Sequence, residues 1–173
     1  LLPDKFPSLN GDHPRLIIPF FDEENILFGY QGRAFGKENP KYITIMLKEK
    51  NKIFGLDRID SDQHVFVVEG PIDSLFLDNC LAVAGADFKL DMDEKDYTVI
   101  YDNEPRNVEI IKRMEKSIEQ NQSIVIWPDN IEEKDINDMI LSGRTSVEIH
   151  RIISKNTFSN LHAKTRLINW KKI

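Results

Sequence analysis

The sequence predicts an α/β fold: an open, mostly parallel sheet with helices on both faces, preceded by a small α+β subdomain. Three observations carry this. From residue 64 to 154 short apolar runs alternate with helix-length amphipathic segments, as strands joined by helical crossovers do. The first sixty residues instead hold β-rich runs separated by polar turns. Finally, 173 residues with 40% hydrophobic and 9% aromatic content can bury one medium core or two small ones, which excludes a disordered chain.

Residues 15–21 (RLIIPFF) and 26–35 (ILFGYQGRAF) read as strands joined by the turn Asp22-Glu23-Glu24-Asn25, and 41–47 (KYITIML) alternates like a third strand. His64-Val65-Phe66-Val67-Val68 is a continuous apolar run, as in a strand buried on both faces. Gly70-Pro71 breaks it, and Pro71 suits the first position of a helix to about Asn79. A strand over 81–84, ending at Gly85, then a strand over 98–101, a helix over 106–121 and a strand over 123–127 complete the alternation. Residues 135–142 and 145–154 read as helices, and Ser159 is placed to cap a last one through Ile168. The expected division is an N-terminal subdomain over 1–62, the α/β domain over 63–154 and a basic helical tail over 155–173, with the boundary near Asp60–Gln63.

A single cysteine, Cys80, excludes a disulfide framework and any Cys-rich zinc site in this chain. The apolar run Leu16–Phe21 is too short to span a membrane and no signal peptide is visible, so a cytoplasmic protein without a membrane partner is expected. The Leu-Leu-Pro start without methionine suggests a piece of a longer protein.

The net charge of -6 is unevenly spread. Residues 1–60 carry 9 basic and 9 acidic side chains, 61–150 carry 8 and 20, and 151–173 carry 6 and 0. So acidic a middle segment repels phosphate unless some carboxylates hold cations, although most of them simply cover solvated helix faces.

The exceptions fall at strand ends, where open parallel sheets bind ligands. Glu69 follows the strand 64–68; Asp102 and Glu104 follow the strand 98–101, and their i, i+2 spacing points both to one side. Asp135 and Asp138 open the next helix. Carboxylates gathered at one sheet edge repel each other, and hard divalent cations such as Mg²⁺ or Mn²⁺, bound by oxygen, relieve that.

Glu69-Gly70-x-x-Asp73 after one strand, with Asp102-x-Glu104 after a later one, resembles the Toprim fold shared by topoisomerases and primases. PRLIIPF (14–20), GYQGRAF (29–35), PKYITI (40–45), IFGLDR (53–58), VVEGPIDSLFL (67–77), YDNEPRN (101–107), KDINDMI (134–140) and AKTRL (163–167) look like the catalytic core of T-even-type bacteriophage DNA primases. The resemblance runs in register from Arg15 to the end. It implies a metal-dependent, DNA-directed RNA polymerase, a nucleotidyltransferase that makes short primers on single-stranded DNA from nucleoside triphosphates, in company with a replicative helicase.

By position, Glu69, Asp102 and Glu104 would be the metal-binding and catalytic acids, Asp135 a further metal ligand and Asp73 their support. Bacterial primases carry Asp-x-Asp where this chain has Asp102-Asn103-Glu104; Glu104 keeps the charge and reaches one carbon further. Arg15, Arg33 and Lys41, with Arg106 and Lys134, would contact nucleotide and template phosphates. Taken alone, Arg33 or Lys41 reads as a solvated strand residue; the family match turns that towards phosphate binding. Tyr30, Phe35 and Tyr42 lie near these cations, where aromatic rings stack on bases or pack a core. Lys48, Lys50 and Lys52 form a basic cluster, and the tail carries Arg151, Lys155, Lys164, Arg166, Lys171 and Lys172 without acids.

Such primases also carry a zinc-binding domain that this chain does not supply, so primer synthesis by the chain alone should be weak. Two rival readings share the residues: a Toprim-type metal-dependent nuclease, and a non-catalytic module binding nucleic acid or helicase.

Overall fold

The structure, a computed structural model, describes residues 14–84 and 97–173. Strands β1 (Arg15–Phe21), β2 (Leu27–Ala34) and β3 (Tyr42–Met46) form an antiparallel sheet in that order. Asp22 makes the β1–β2 hairpin: its carbonyl accepts from Asn25 N–H at 2.9 Å and its Oδ1 from Ile26 N–H at 2.9 Å. Asn25 takes the left-handed conformation that such a turn requires. Phe20 and Phe28 from neighbouring strands are fully buried and, with Ile18, form this sheet's own small core against Phe54.

The second sheet has six strands in the order β4-β6-β5-β7-β8-β9. Its centre is parallel: β5 (Val65–Val68) pairs with β6 (Cys80–Val83) and β7 (Tyr97–Ile100), and β7 with β8 (Ser123–Val125). Two-residue antiparallel edges, β4 (Ile53–Phe54) and β9 (Thr157–Phe158), close it. Helices α1 (Val108–Glu119) and α4 (Asn160–Trp170) cover one face, and α2 (Ile136–Leu141) and α3 (Ser146–Lys155) the other. The two-residue period of a strand divides the core between the faces: Val99 and Ile124 pack with Met114 and Leu167, while Ile100 and Val125 pack with Met139 and Ile149.

The open, mostly parallel sheet with helices on both faces is therefore as expected. Among the described residues before 60 there is, however, no α-helix, only strands and a 3₁₀ turn over Leu56–Arg58. The boundary expected at Asp60–Gln63 has β4, a strand of the large sheet, on its N-terminal side. The helix expected from Pro71 to Asn79 is a single 3₁₀ turn, Asp73–Phe76. The connection from β5 to its parallel neighbour β6 is too short for a packed helix, and Asn79 already turns left-handed to start β6. Gly85, where that strand was expected to end, lies outside the described residues. Ser159 precedes α4 but makes no side-chain capping bond. Among the described residues no helix is long and apolar enough to cross a membrane.

Candidate active site

β5 and β7 are adjacent and parallel, so the residues after them emerge at one edge. There a cleft of about 420 Å³ opens, with Glu69, Gly70, Asp73, Asp102, Lys134 and Asp135 on the parallel-sheet side and Gln31, Lys41, Tyr42 and Thr44 on the antiparallel-sheet side.

Each acid is held by the chain. Glu69 Oε2 accepts from Arg113 of α1 at 2.9 Å, while its Oε1 is buried without a hydrogen-bond partner. Asp73 Oδ1 accepts the backbone N–H of Asn137 at 2.8 Å, tying the 3₁₀ turn to α2. Its Oδ2 lies where a Cβ on residue 70 would sit, so the Glu-Gly-x-x-Asp pattern has a steric cause: any side chain at Gly70 displaces Asp73. Asp135 caps α2, its Oδ1 accepting Asp138 N–H at 2.7 Å. Glu104 is not among the residues lining the cleft; its Oε2 accepts from Asn107 Nδ2 at 3.2 Å, and Asn107 in turn caps α1.

Burial and mutual repulsion perturb Asp102 and Asp73. Asp102 is pushed up to about 7, first by burial and then by the Glu69 charge, with Lys134 opposing. Asp73 is raised to about 6, again mainly by burial, with the Asn137 N–H opposing. Repulsion between carboxylates, the cause anticipated from sequence, is thus the smaller of two effects. Lys134 stands between Asp102, at 3.6 Å, and Glu104, at 3.4 Å.

Among the described residues no three acidic, His or Cys side chains come together as a group able to hold a metal ion. Arg113 pairs with Glu69, and Lys134 with Asp102 and Glu104. The donor set nonetheless suits a hard cation. It is all oxygen, it includes a buried orphaned Glu69 Oε1, and burial holds Asp73 and Asp102 above the ordinary carboxylate range.

Of the expected cations, Lys41 lines the cleft, Arg33 lines an adjoining groove, and both lean on the Tyr42 ring at 5.6 and 5.8 Å. Arg15 donates to the Pro40 and Lys41 carbonyls at 3.1 and 3.4 Å, so it braces the loop that carries Lys41. Arg106 is exposed in the turn before α1 and lines neither cavity.

Two residues were not singled out from sequence. Arg113 is one. Asn103, read only as the spacer of Asp-x-Glu, is the other: its Nδ2 donates to the Ile131 and Glu133 carbonyls at 2.9 and 3.1 Å, and its N–H to Lys134 O at 2.6 Å. It fastens the loop bearing Lys134 and Asp135 to the loop bearing Asp102. An amide side chain in place of a small spacer was the available signal.

Acids at the carboxyl edge of a mostly parallel sheet, faced by a cationic antiparallel sheet, make this the fold of DnaG-type (Toprim) primase catalytic cores. The RNA polymerase domain of Mycobacterium tuberculosis primase DnaG superposes with a TM-score of 0.67 at 17% identity, over 92% of this chain and 59% of that one. A DnaG primase catalytic domain bound to single-stranded DNA superposes at 0.64 and 17%, over 90% and 55%. In sequence, the chain is a relative of the DNA primase of Enterobacteria phage T4, 40% identical over 166 residues that make up 92% of this chain. They span 48% of that protein, so the chain is about half the length of the relative it matches. No protein-family model matches the chain.

Proposed function

We propose that this chain is the catalytic core of a phage-type DNA primase, a template-directed polymerase of ribonucleotides on single-stranded DNA. The observation that carries the reading is the cleft itself. Acids of β5 and β7 face Lys41 and Tyr42 across it, in a chain 40% identical to a DNA primase. A divalent cation, Mg²⁺ or Mn²⁺, held by Glu69 and Asp102 with Glu104 and Asp135 in reach of the same edge, would supply positive charge to the attacking hydroxyl and the pyrophosphate leaving group.

The rest is positioning and charge. Lys41 and Arg33 would take phosphate oxygens on the antiparallel-sheet side, Lys as a point charge and Arg as a two-pronged donor. Lys134, standing between Asp102 and Glu104, would turn to the triphosphate as cations take over the carboxylates. Asp73, fixed by Asn137 N–H, would brace the Glu69 turn. Template DNA, nucleoside triphosphates, a replicative helicase and the zinc-binding domain of the full-length protein are the partners of this reading, and a host-cell cytoplasm its setting.

The test is extension of an RNA primer annealed to single-stranded DNA, with labelled ribonucleotides and Mg²⁺, which bypasses start-site selection. Extension by the chain that falls at least a hundredfold in Asp102→Asn is expected. Degradation of the template would favour a nuclease, and unchanged behaviour of Asp102→Asn a binding module; either would overturn the proposal.

A further inference from the structure

The two cations that answer the acids are held differently. Lys134 is half-exposed, lines the cleft and stands 3.6 and 3.4 Å from Asp102 and Glu104, so an incoming cation can displace it. Arg113 is mostly buried, meets Glu69 at 2.9 Å from α1 and is not among the residues lining the cleft.

Arg113 is itself fastened. Its guanidinium carbon lies 5.8 Å from the centre of the Tyr101 ring. Tyr101 is buried immediately after β7. Its hydroxyl donates to the Arg113 carbonyl at 3.2 Å and shares a hydrogen bond of 2.8 Å with Ser117, one turn further along α1. Ring and hydroxyl together thus fix the Arg113 side chain and the turn of helix that carries it. Of the Glu69 carboxylate, Oε2 is taken by this arm, and Oε1 is buried with no hydrogen-bond partner.

We infer that Arg113 is a positioning residue that sets ion specificity: by occupying Oε2 it leaves Glu69 one oxygen to offer, which tunes the acidic edge towards Mg²⁺ and away from Ca²⁺. The inference rests on the primase reading, which puts a divalent cation on Glu69. An arginine stays charged, so a cation moving to share Oε2 meets a fixed positive charge. Ca²⁺ gathers about six to eight oxygens and often takes both from one carboxylate. Mg²⁺ demands a tight, near-octahedral shell and keeps several of its waters. A carboxylate with one oxygen engaged therefore costs Ca²⁺ a ligand and Mg²⁺ none.

The test is binding of Mg²⁺ and of Ca²⁺, each alone, to the whole chain at pH 8, read from the rise of the thermal midpoint with ion concentration. The parent should favour Mg²⁺. Removing the fixed charge should help both ions, so the ratio of Ca²⁺ to Mg²⁺ affinity is the reading that isolates the second oxygen. That ratio should rise about tenfold in Arg113→Met, which keeps a stem against the Tyr101 ring, and in Arg113→Gln. In Arg113→Lys, which restores the charge, it should stay close to the parent's. A purely structural role for Arg113 would lower the midpoint without ions and leave the ratio alone. A parent that favours Ca²⁺, an unchanged ratio in Arg113→Met and Arg113→Gln, or an equal rise in Arg113→Lys overturns the inference while the primase reading stands. If the parent binds neither ion, both fall.

Discussion

At the residue scale, Asp102 carries a measurable consequence of its setting. Its folded-state value of about 7 lies above the ordinary 3.8, so the folded chain holds a proton that the unfolded chain releases. Stability from this group is fully present below about 4 and is lost as pH rises towards 7. Asp102→Asn, which mimics the protonated acid, should therefore raise the thermal midpoint by about 5 °C at pH 8 and leave it unchanged at pH 4. Scanning calorimetry at the two pH values checks this. Asp102 and Glu69 were legible because a charged residue just after an apolar strand points to the sheet edge. Arg113 was not, since it pairs with Glu69 from 44 positions away and sits in an amphipathic helix like any other cation.

At the scale of elements, the site depends on two loops held together by Asn103. Asn103→Ala removes two side-chain bonds to the Ile131 and Glu133 carbonyls and leaves both acceptors short of a partner. About 2 kcal/mol of stability should be lost. Amide exchange over residues 131–136 should quicken in that variant while exchange in α1 stays as before; mass spectrometry after brief deuteration reads both. Sequence identified most elements to within a residue or two, because β5 is an unbroken apolar run, β7 and β8 carry the apolar pairs Val99-Ile100 and Ile124-Val125, and α1 and α3 have clear caps. It missed β4 and β9, since two residues carry no periodicity. It overextended the turn after Pro71, because the local helix signal says nothing of how soon the chain must return to the sheet.

At the scale of the whole molecule, the antiparallel sheet and the acid-bearing sheet face each other across one cleft, and on the proposed function a cation bound there would be linked to folding. A divalent ion that binds the folded chain raises its melting temperature by mass action. It must also displace the protons that Asp73 and Asp102 retain up to about 6 and 7. Mg²⁺ should accordingly raise the thermal midpoint at pH 8 by several degrees and barely at pH 5, where these acids stay protonated. Equal shifts at the two values would remove the acids from cation binding.

The sequence by itself determined the alternation of strands and helices, the strand ends at which acids collect and the kinship of the chain, all local or in-register properties. Tertiary structure alone decided which cation answers which acid. Arg113 came to Glu69, Lys134 to Asp102 and Glu104, and Arg15 to backbone carbonyls rather than the cleft. Such pairings depend on how distant segments stack on a sheet, and one-dimensional spacing does not encode the distance between side chains that only folding brings together.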